Sequence, residues 1–333
     1  MVVKFLLLIA ITVISVSGLQ AQETDTLRKT TINGTSIDTK GLIVPYPNLN
    51  PNPNLNDLDK IKPANLINFT VKQHEKVEAD NNFAFKVFRE VSKQESGNTF
   101  FSPLSLNMAL GMLYNGSSAD TRTEMVKVLR LENFSDFEIN EYYQEMSQAL
   151  LEIDPITELV IANSIWYRNH LPVKNTFIET GKKYFDAEVQ MLNFNQSIAA
   201  NMINKWCADK TKNKINHIVA HPLSDDMMMF LINAIYFKSK WQMEKKFDKA
   251  KTKLDDFTKN NNQKVKAYLM EQTTTLSYYA DHQLQCVELP YGNKAFSMIA
   301  VLPNKKSNID QLIGHLATIK WENIVNGMRQ QMV

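Results

Sequence analysis

The run MMMFLINAIYFKSKW, Met227–Trp241, restricts the possible folds more than any other stretch. Its apolar residues occupy both alternating positions, so as a strand it needs cover on both faces. Such a strand lies in the middle of a layered domain. A second run, SPLSLNMALGMLYNG (Ser102–Gly116), has helical length and is apolar nearly all round, so it too belongs inside. Ser102 is its expected N-cap and Pro103 its first helical residue, while Asn115–Gly116 is the stop signal. Ser105 does not fit this economy. A buried helix needs one capping hydroxyl, and Ser105 places a second inside the first turn, where packing should begin.

The segments around these two runs fall into an order. Phe83, Val87, Phe88 and Val91 recur at helical spacing. Thr121 with Glu124, and Ser135 with Glu138, read as two capping boxes, each opening a further helix. ELVIANSIWYRN is β-rich, a short helix follows over Phe177–Tyr184, AEVQMLNF is a strand candidate and SIAANMINKWCADKTKNKI an amphipathic helix. From Lys251 the pattern is of strands, KVKAYLMEQ, TLSYYADHQLQCVELPY and FSMIAVLP, with a hairpin turn at Tyr291–Gly292–Asn293. NIDQLIGHLATIKWENIVNGM is helical again. Helices first, then long and antiparallel strands, give an α+β fold.

The N-terminal end reads differently. Lys4 precedes the apolar block Phe5–Val16, and SGLQAQ closes it, so residues 1–21 are expected to be a signal peptide cleaved near Ala21 and the protein to be secreted to the extracellular space. An uncleaved anchor is the alternative. Residues 22–68, polar and then rich in Pro and Asn, cannot bury enough apolar surface to offset ordering and are expected to be a disordered leader. The globular domain is assigned to residues 69–333. Cys207 and Cys286 sit in apolar surroundings, so two buried free thiols are expected, with a disulfide as the alternative. Sequons occur at Asn33, Asn68, Asn115, Asn133 and Asn195.

Several chemistries lack their residues. The net charge of +2 points to neither nucleic acid nor an acidic substrate. No Gly-x-Ser-x-Gly elbow is present, and Ser102 sits in a capping context, so no catalytic residue is assigned. His217 and His221 have metal-ligand spacing, but without a helical Glu beside them and with Pro222 following, a loop is the expected state. No glycine-rich phosphate loop and no Cys-x-x-Cys occurs, and no cofactor or metal is assigned.

NNFAFKVFREV followed by NTFFSPLSLNMALGMLYNGSSADTRTEM, then LVIANSIWYRN, NFNQSIAANMINKWCADKTKNKI, FLINAIYFKSKWQMEKKF and VELPYGNKAFSMIAVLP, resemble successive blocks of the serpins, the serine protease inhibitor fold. The likeness runs from about Asn82 to Pro303 and extends plausibly to Met328. It implies a multi-helix N-terminal half packed on a large, mostly antiparallel sheet, with two partial smaller sheets. It also implies an exposed reactive loop that a serine or cysteine endopeptidase cleaves and that then enters the main sheet as a strand. On the resemblance, Ser102, Pro103, Ser105 and Asn233 match the shutter beneath the parting sheet, and Trp241 matches the breach where the loop enters. Hydroxyls and an amide can exchange partners as strands separate, which apolar groups cannot.

The chain ends at NGMRQQMV, before the reactive loop would come, so the reactive-site bond is expected to be absent, with QQMV opening the first missing strand. A truncated reading of a serpin gene is the expectation, and with it no stable protease complex from this chain alone, a monomer if complete and aggregation or strand exchange if not. A non-inhibitory serpin-like binding protein, or an inactive relic, is the competing reading.

Overall fold

The computed structural model describes residues 11–17, 67, 69–94, 97–242, 247–259, 263–305 and 307–333. Ala21, most of the 22–68 leader and the sequons at Asn33 and Asn68 lie outside the described residues. The chain forms two compact units that divide between Lys238 and Ser239.

The first unit carries the two interior runs. Strand β1 (Ile11–Ser17) is followed by helices α1 (Val71–Gln94), α2 (Pro103–Gly116), α3 (Ala119–Leu129) and α4 (Asp136–Glu152). Then come β2 (Glu158–Arg168), α5 (Asn175–Phe185), β3 (Ala187–Leu192), α6 (Ser197–Lys210) and β4 (Met227–Lys238). The sheet order is β1-β4-β2-β3. β4 pairs antiparallel with both β1 and β2. β2 and β3 run parallel, joined by the crossover helix α5.

The two-faced burial expected of β4 is present. Residues 230–236 are all buried. Phe230, Ile232 and Ala234 pack in one cluster with Trp166 and with Ala199, Ala200, Ile203, Trp206 and Cys207 of α6. The alternate residues face α2, where Ser105 meets Asn233. Burying side chains such as Leu231 and Ile232, both at zero exposure, contributes about 1.5–3 kcal/mol each. α2 is held close to α4 by Gly111: a Cβ there would stand 2.6 Å from the Tyr143 ring.

Local signals explain some helix ends and miss others. The Ser135–Glu138 capping box is formed in both directions, with Ser135 N–H donating to Glu138 at 2.9 Å. The Thr121–Glu124 box is not. α3 starts three residues earlier than that box implies, with Ser118 at the N-cap and Asp120 in the first turn, so Thr121 is already helical. Backbone continuation outweighed the capping pattern there. Around Asn115 the sequon is structurally occupied: its amide donates to Gly111 O at 2.9 Å and exchanges hydrogen bonds with Asn140.

The second unit comprises β5 (Lys253–Thr258), β6 (Lys264–Leu269), β7 (Thr275–Ala280), β8 (Leu284–Pro290), β9 (Ser297–Pro303), α7 (Ile309–Leu316), α8 (Trp321–Gly327) and β10 (Arg329–Met332). It holds an antiparallel sheet of order β10-β7-β8-β9 and a separate β5–β6 pair. The turn at Tyr291–Asn293 joins β8 to β9, with Gly292 at φ 45° and Lys294 N–H bonded to Tyr291 O at 2.7 Å. The last helical stretch is two helices rather than one. The Thr318 hydroxyl and the amides of Thr318 and Ile319 all turn back to His315 O, which ends α7. Cys207 and Cys286 are free and buried, one in each unit.

Candidate functional site

The helix start that opens α2 and the middle of β4 meet in a line of neutral polar groups. Ser102 sits at the N-cap with extended backbone (φ −106°, ψ 110°), and its hydroxyl accepts the Ser105 N–H at 3.1 Å. Pro103 follows, buried, at the first helical position, where its missing N–H costs nothing. The cap thus satisfies the Ser105 N–H, and the Ser105 hydroxyl turns toward β4. That hydroxyl donates to the Asn233 side-chain oxygen across the α2–β4 interface, and the Asn233 backbone carbonyl stands 3.4 Å away as a second acceptor. Ser102, Ser105 and Asn233 all have zero exposure.

The line continues beyond the residues singled out in the sequence. Asn233 Nδ2 donates to Asn163 Oδ1 at 2.9 Å. Asn163 lies directly opposite on β2, in the same register pair. Its own amide donates to Phe185 O at 2.6 Å, satisfying one of the carbonyls left over at the C-terminus of α5. The whole chain therefore runs Ser102, Ser105, Asn233, Asn163, Phe185 carbonyl, from the start of one helix through two strands to the end of another. Asn163 had a sequence signal: it is an amide inside the apolar run LVIANSIW, at the position that β2–β4 pairing sets against Asn233. Reading each strand alone hides it.

A buried neutral network of this kind is a costly choice. Each member left without a partner costs about 1–3 kcal/mol, whereas apolar residues of the same size carry no such liability. Asn107, one turn along α2 and also buried, keeps its side-chain oxygen without a donor among the described residues. Among the described residues, the groups joined in this line are hydroxyls, amides and backbone carbonyls, all neutral.

Trp241 is in the second unit. It forms an isolated bridge with Tyr291 and stacks on its ring, with centroids 4.2 Å apart and planes 20° from parallel. Gln242 N–H donates to Pro290 O at 2.9 Å, and Gly292 N–H to Lys240 O at 2.9 Å, so this stretch is laced to the β8–β9 turn. Trp241 is 41% exposed, which sets it apart from a core aromatic. Burial pushes the Tyr291 hydroxyl above its usual pKa.

His217 and His221 lie in the loop after α6, which ends at Lys210, so they share no helix face. Among the described residues no cluster of His, Cys, Asp and Glu could hold a metal ion, and no helix is long and apolar enough to cross a membrane.

The sequence profile of the family described as "Serpin (serine protease inhibitor)" matches residues 78–333. The chain belongs to the serpin family. Among relatives it is similar to an uncharacterized serpin-like protein of Methanosarcina acetivorans, 27% identical over 265 residues that cover 78% of this chain and 62% of that one. It is similar to intracellular coagulation inhibitor 2 of Tachypleus tridentatus, 28% identical over 265 residues, 78% of this chain and 64% of the other. The chain thus spans about three fifths of the length of these serpins. Among solved structures, reactive-loop-cleaved human thyroxine binding globulin superimposes with a TM-score of 0.70 at 25% identity, covering 79% of this chain and 78% of that one. The serpin fold, α+β with several sheets, is therefore the fold of this chain.

Proposed function

We propose that this serpin is an exported inhibitor of serine or cysteine endopeptidases that acts by loop cleavage and strand insertion. The observation that carries this reading is the Ser105–Asn233–Asn163 line beneath β4 and β2. It sits where a static core would hold apolar side chains. A layer that must part and close again gains from groups able to trade hydrogen bonds without leaving any unsatisfied. Ser102, Pro103, Ser105 and Asn233 are then the shutter, and Trp241 with its Tyr291 partner is the breach. The inhibitor named among its relatives supports the class of partner. Export rests on Lys4 and the apolar block ahead of Ala21.

The test is to express the protein from its gene together with any coding sequence that continues past Val333, since no stable complex is expected from residues 1–333 alone, and to incubate it with trypsin-like, chymotrypsin-like and papain-like endopeptidases. An inhibitor yields a one-to-one complex that survives denaturing electrophoresis. The similarity to a thyroxine binding globulin supports the competing reading, a carrier on the same scaffold. A carrier is cut as an ordinary substrate or left untouched, and no such complex forms.

A further inference from the structure

α1 buries Val77, Ala79, Phe83 and Phe85, and among them Lys76, at zero exposure. A lysine ordinarily carries its ammonium out to water on an apolar stem. This one does not. Its Nζ is paired with the Asp80 carboxylate one turn further on, and lies 5.2 Å from the centre of the Tyr142 ring and 5.4 Å from that of Tyr143, both on α4. The Tyr142 hydroxyl donates to the second Asp80 oxygen at 2.8 Å, which fastens the carboxylate to one of the rings. The two rings stand 67° apart with centroids separated by 5.5 Å, giving the ammonium two aromatic walls. The Tyr143 hydroxyl is buried without a partner among the described residues, so this tyrosine contributes its ring rather than its oxygen. Burial first, and then the Asp80 charge, pushes both phenols above their usual pKa, so the walls are neutral.

We propose that Tyr142, Tyr143 and Asp80 form a receptor for an ammonium group, with Lys76 as its resident ligand and primary alkylammonium ions as the class of molecule it selects. Taking an ammonium out of water is costly, and only a counter-charge and aromatic faces in the same dry site offset it. A methionine or leucine would fill the same space on α1 without that cost, so packing alone does not account for the cluster. Nor do the other links between α1 and α4 replace it. The Lys72–Glu138 pair, at 2.6 Å, and the Gln73–Glu145 bond lie toward the surface, where water and salt screen them. Lys76 therefore docks the first turns of α1 on α4 as a ligand docks, while Phe83 and Phe85 hold the following turns by apolar burial. The inference goes beyond the inhibitor reading and uses none of its residues.

Lys76→Ala deletes the atoms of propylammonium and leaves the rest of the site in place. In the full chain, about 50 mM propylammonium chloride is expected to raise the Tm of Lys76→Ala by about 3 °C, as for a Kd of about 5 mM. Sodium chloride or 1-propanol at the same concentration should leave it unchanged, and the wild type, its site filled, should respond to none of the three. The response should vanish in Lys76→Ala/Asp80→Asn and persist in Lys76→Ala/Tyr143→Phe, which keeps the ring and drops the unpartnered hydroxyl. No response, an equal response to propanol or sodium, or a response in the wild type overturns the proposal. So does survival of the response without the Asp80 charge, or its loss in Tyr143→Phe. If Lys76→Ala does not fold unaided, the three additives are compared during refolding: recovery of soluble protein with propylammonium alone supports the receptor, and equal recovery, or none, overturns it. No step involves a protease, so failure here leaves the inhibitor reading standing, and failure to trap a protease leaves this one standing.

Discussion

Replacing Asn233 by Ala breaks the polar line at its middle, and the cost can be apportioned bond by bond. Asn163 Oδ1 loses its donor. It cannot recover by flipping its amide, because Nδ2 is held by Phe185 O at 2.6 Å. A buried acceptor orphaned in this way costs about 1–3 kcal/mol. Ser105 loses its side-chain acceptor but retains the Asn233 backbone carbonyl at 3.4 Å, so its loss is smaller, about 0.5–1.5 kcal/mol. Together Asn233→Ala should destabilise the first unit by about 2–4 kcal/mol. Ser105→Ala alone should cost about 1–3 kcal/mol, since it leaves the Asn233 oxygen without that hydroxyl. In the double variant, neither group remains to be orphaned by the other, so the combined cost should fall short of the sum by about 1–2 kcal/mol. Urea unfolding of the four proteins of the cycle, followed by tryptophan fluorescence, measures this as shifts of midpoint at constant slope. Additivity within about 0.5 kcal/mol would show that the two side chains act independently and that the line is not a network.

Other consequences are equally specific. Gly111→Ala would set a Cβ 2.6 Å from Tyr143 Cε2 and 2.8 Å from Cζ; overpacking of about 1–3 kcal/mol should outweigh the gain of about 1 kcal/mol in helix propensity, seen as a lower Tm. Gly181→Ala is crowded by the terminal methyl of Ile165, at 2.7 Å, with Ala187 at an ordinary 3.8 Å, and should cost less in the same assay. Glu138 is held down to about 2 by Lys72 and by the backbone N–H and hydroxyl of Ser135. A depressed carboxylate stabilises above its ordinary value of 4.5 and loses that contribution as pH falls toward about 2. The difference in urea midpoint between the wild type and Glu138→Gln should therefore shrink over that interval. Burial raises the Cys286 thiol to about 11 and the Cys207 thiol further still. Neither should react with a disulfide reagent at pH 8 in the native protein, and both should react once it is unfolded.

The interior of the first unit was legible because its two key runs carry their burial on both faces. An apolar helix with a Ser-Pro start and an apolar strand with no polar side leave few arrangements other than stacking one on the other. Signals that depend on a partner were harder to read. Asn163 becomes meaningful only when β2 is laid against β4 in register. Lys76 is similar: it looks like an ordinary helical lysine, yet it is fully buried, paired with Asp80, and its ammonium lies 5.2 and 5.4 Å from the ring centres of Tyr142 and Tyr143. That environment is assembled from α1 and α4 together, and no window of either helix contains it. Thr121 failed in the opposite direction, a local pattern with no tertiary support. β5 has every residue exposed and no apolar alternation, so its pairing with β6 left little trace in the sequence.

The joints of the polar line differ in what they connect. Asn163 and Asn233 ride on neighbouring strands locked by their own backbone ladder, and Phe185 is coupled to the same slab through α5. Ser105 belongs to the helix on the far side. Any glide of the slab over α2 therefore leaves the amide–amide joint intact and concentrates the rearrangement on a single hydroxyl. A serine rotor, with one proton to give and two lone pairs to receive, can swivel from one acceptor to the next without crossing a large barrier. If the sheet moves as proposed, the arrangement would work as a bearing, with its friction lowered at one residue.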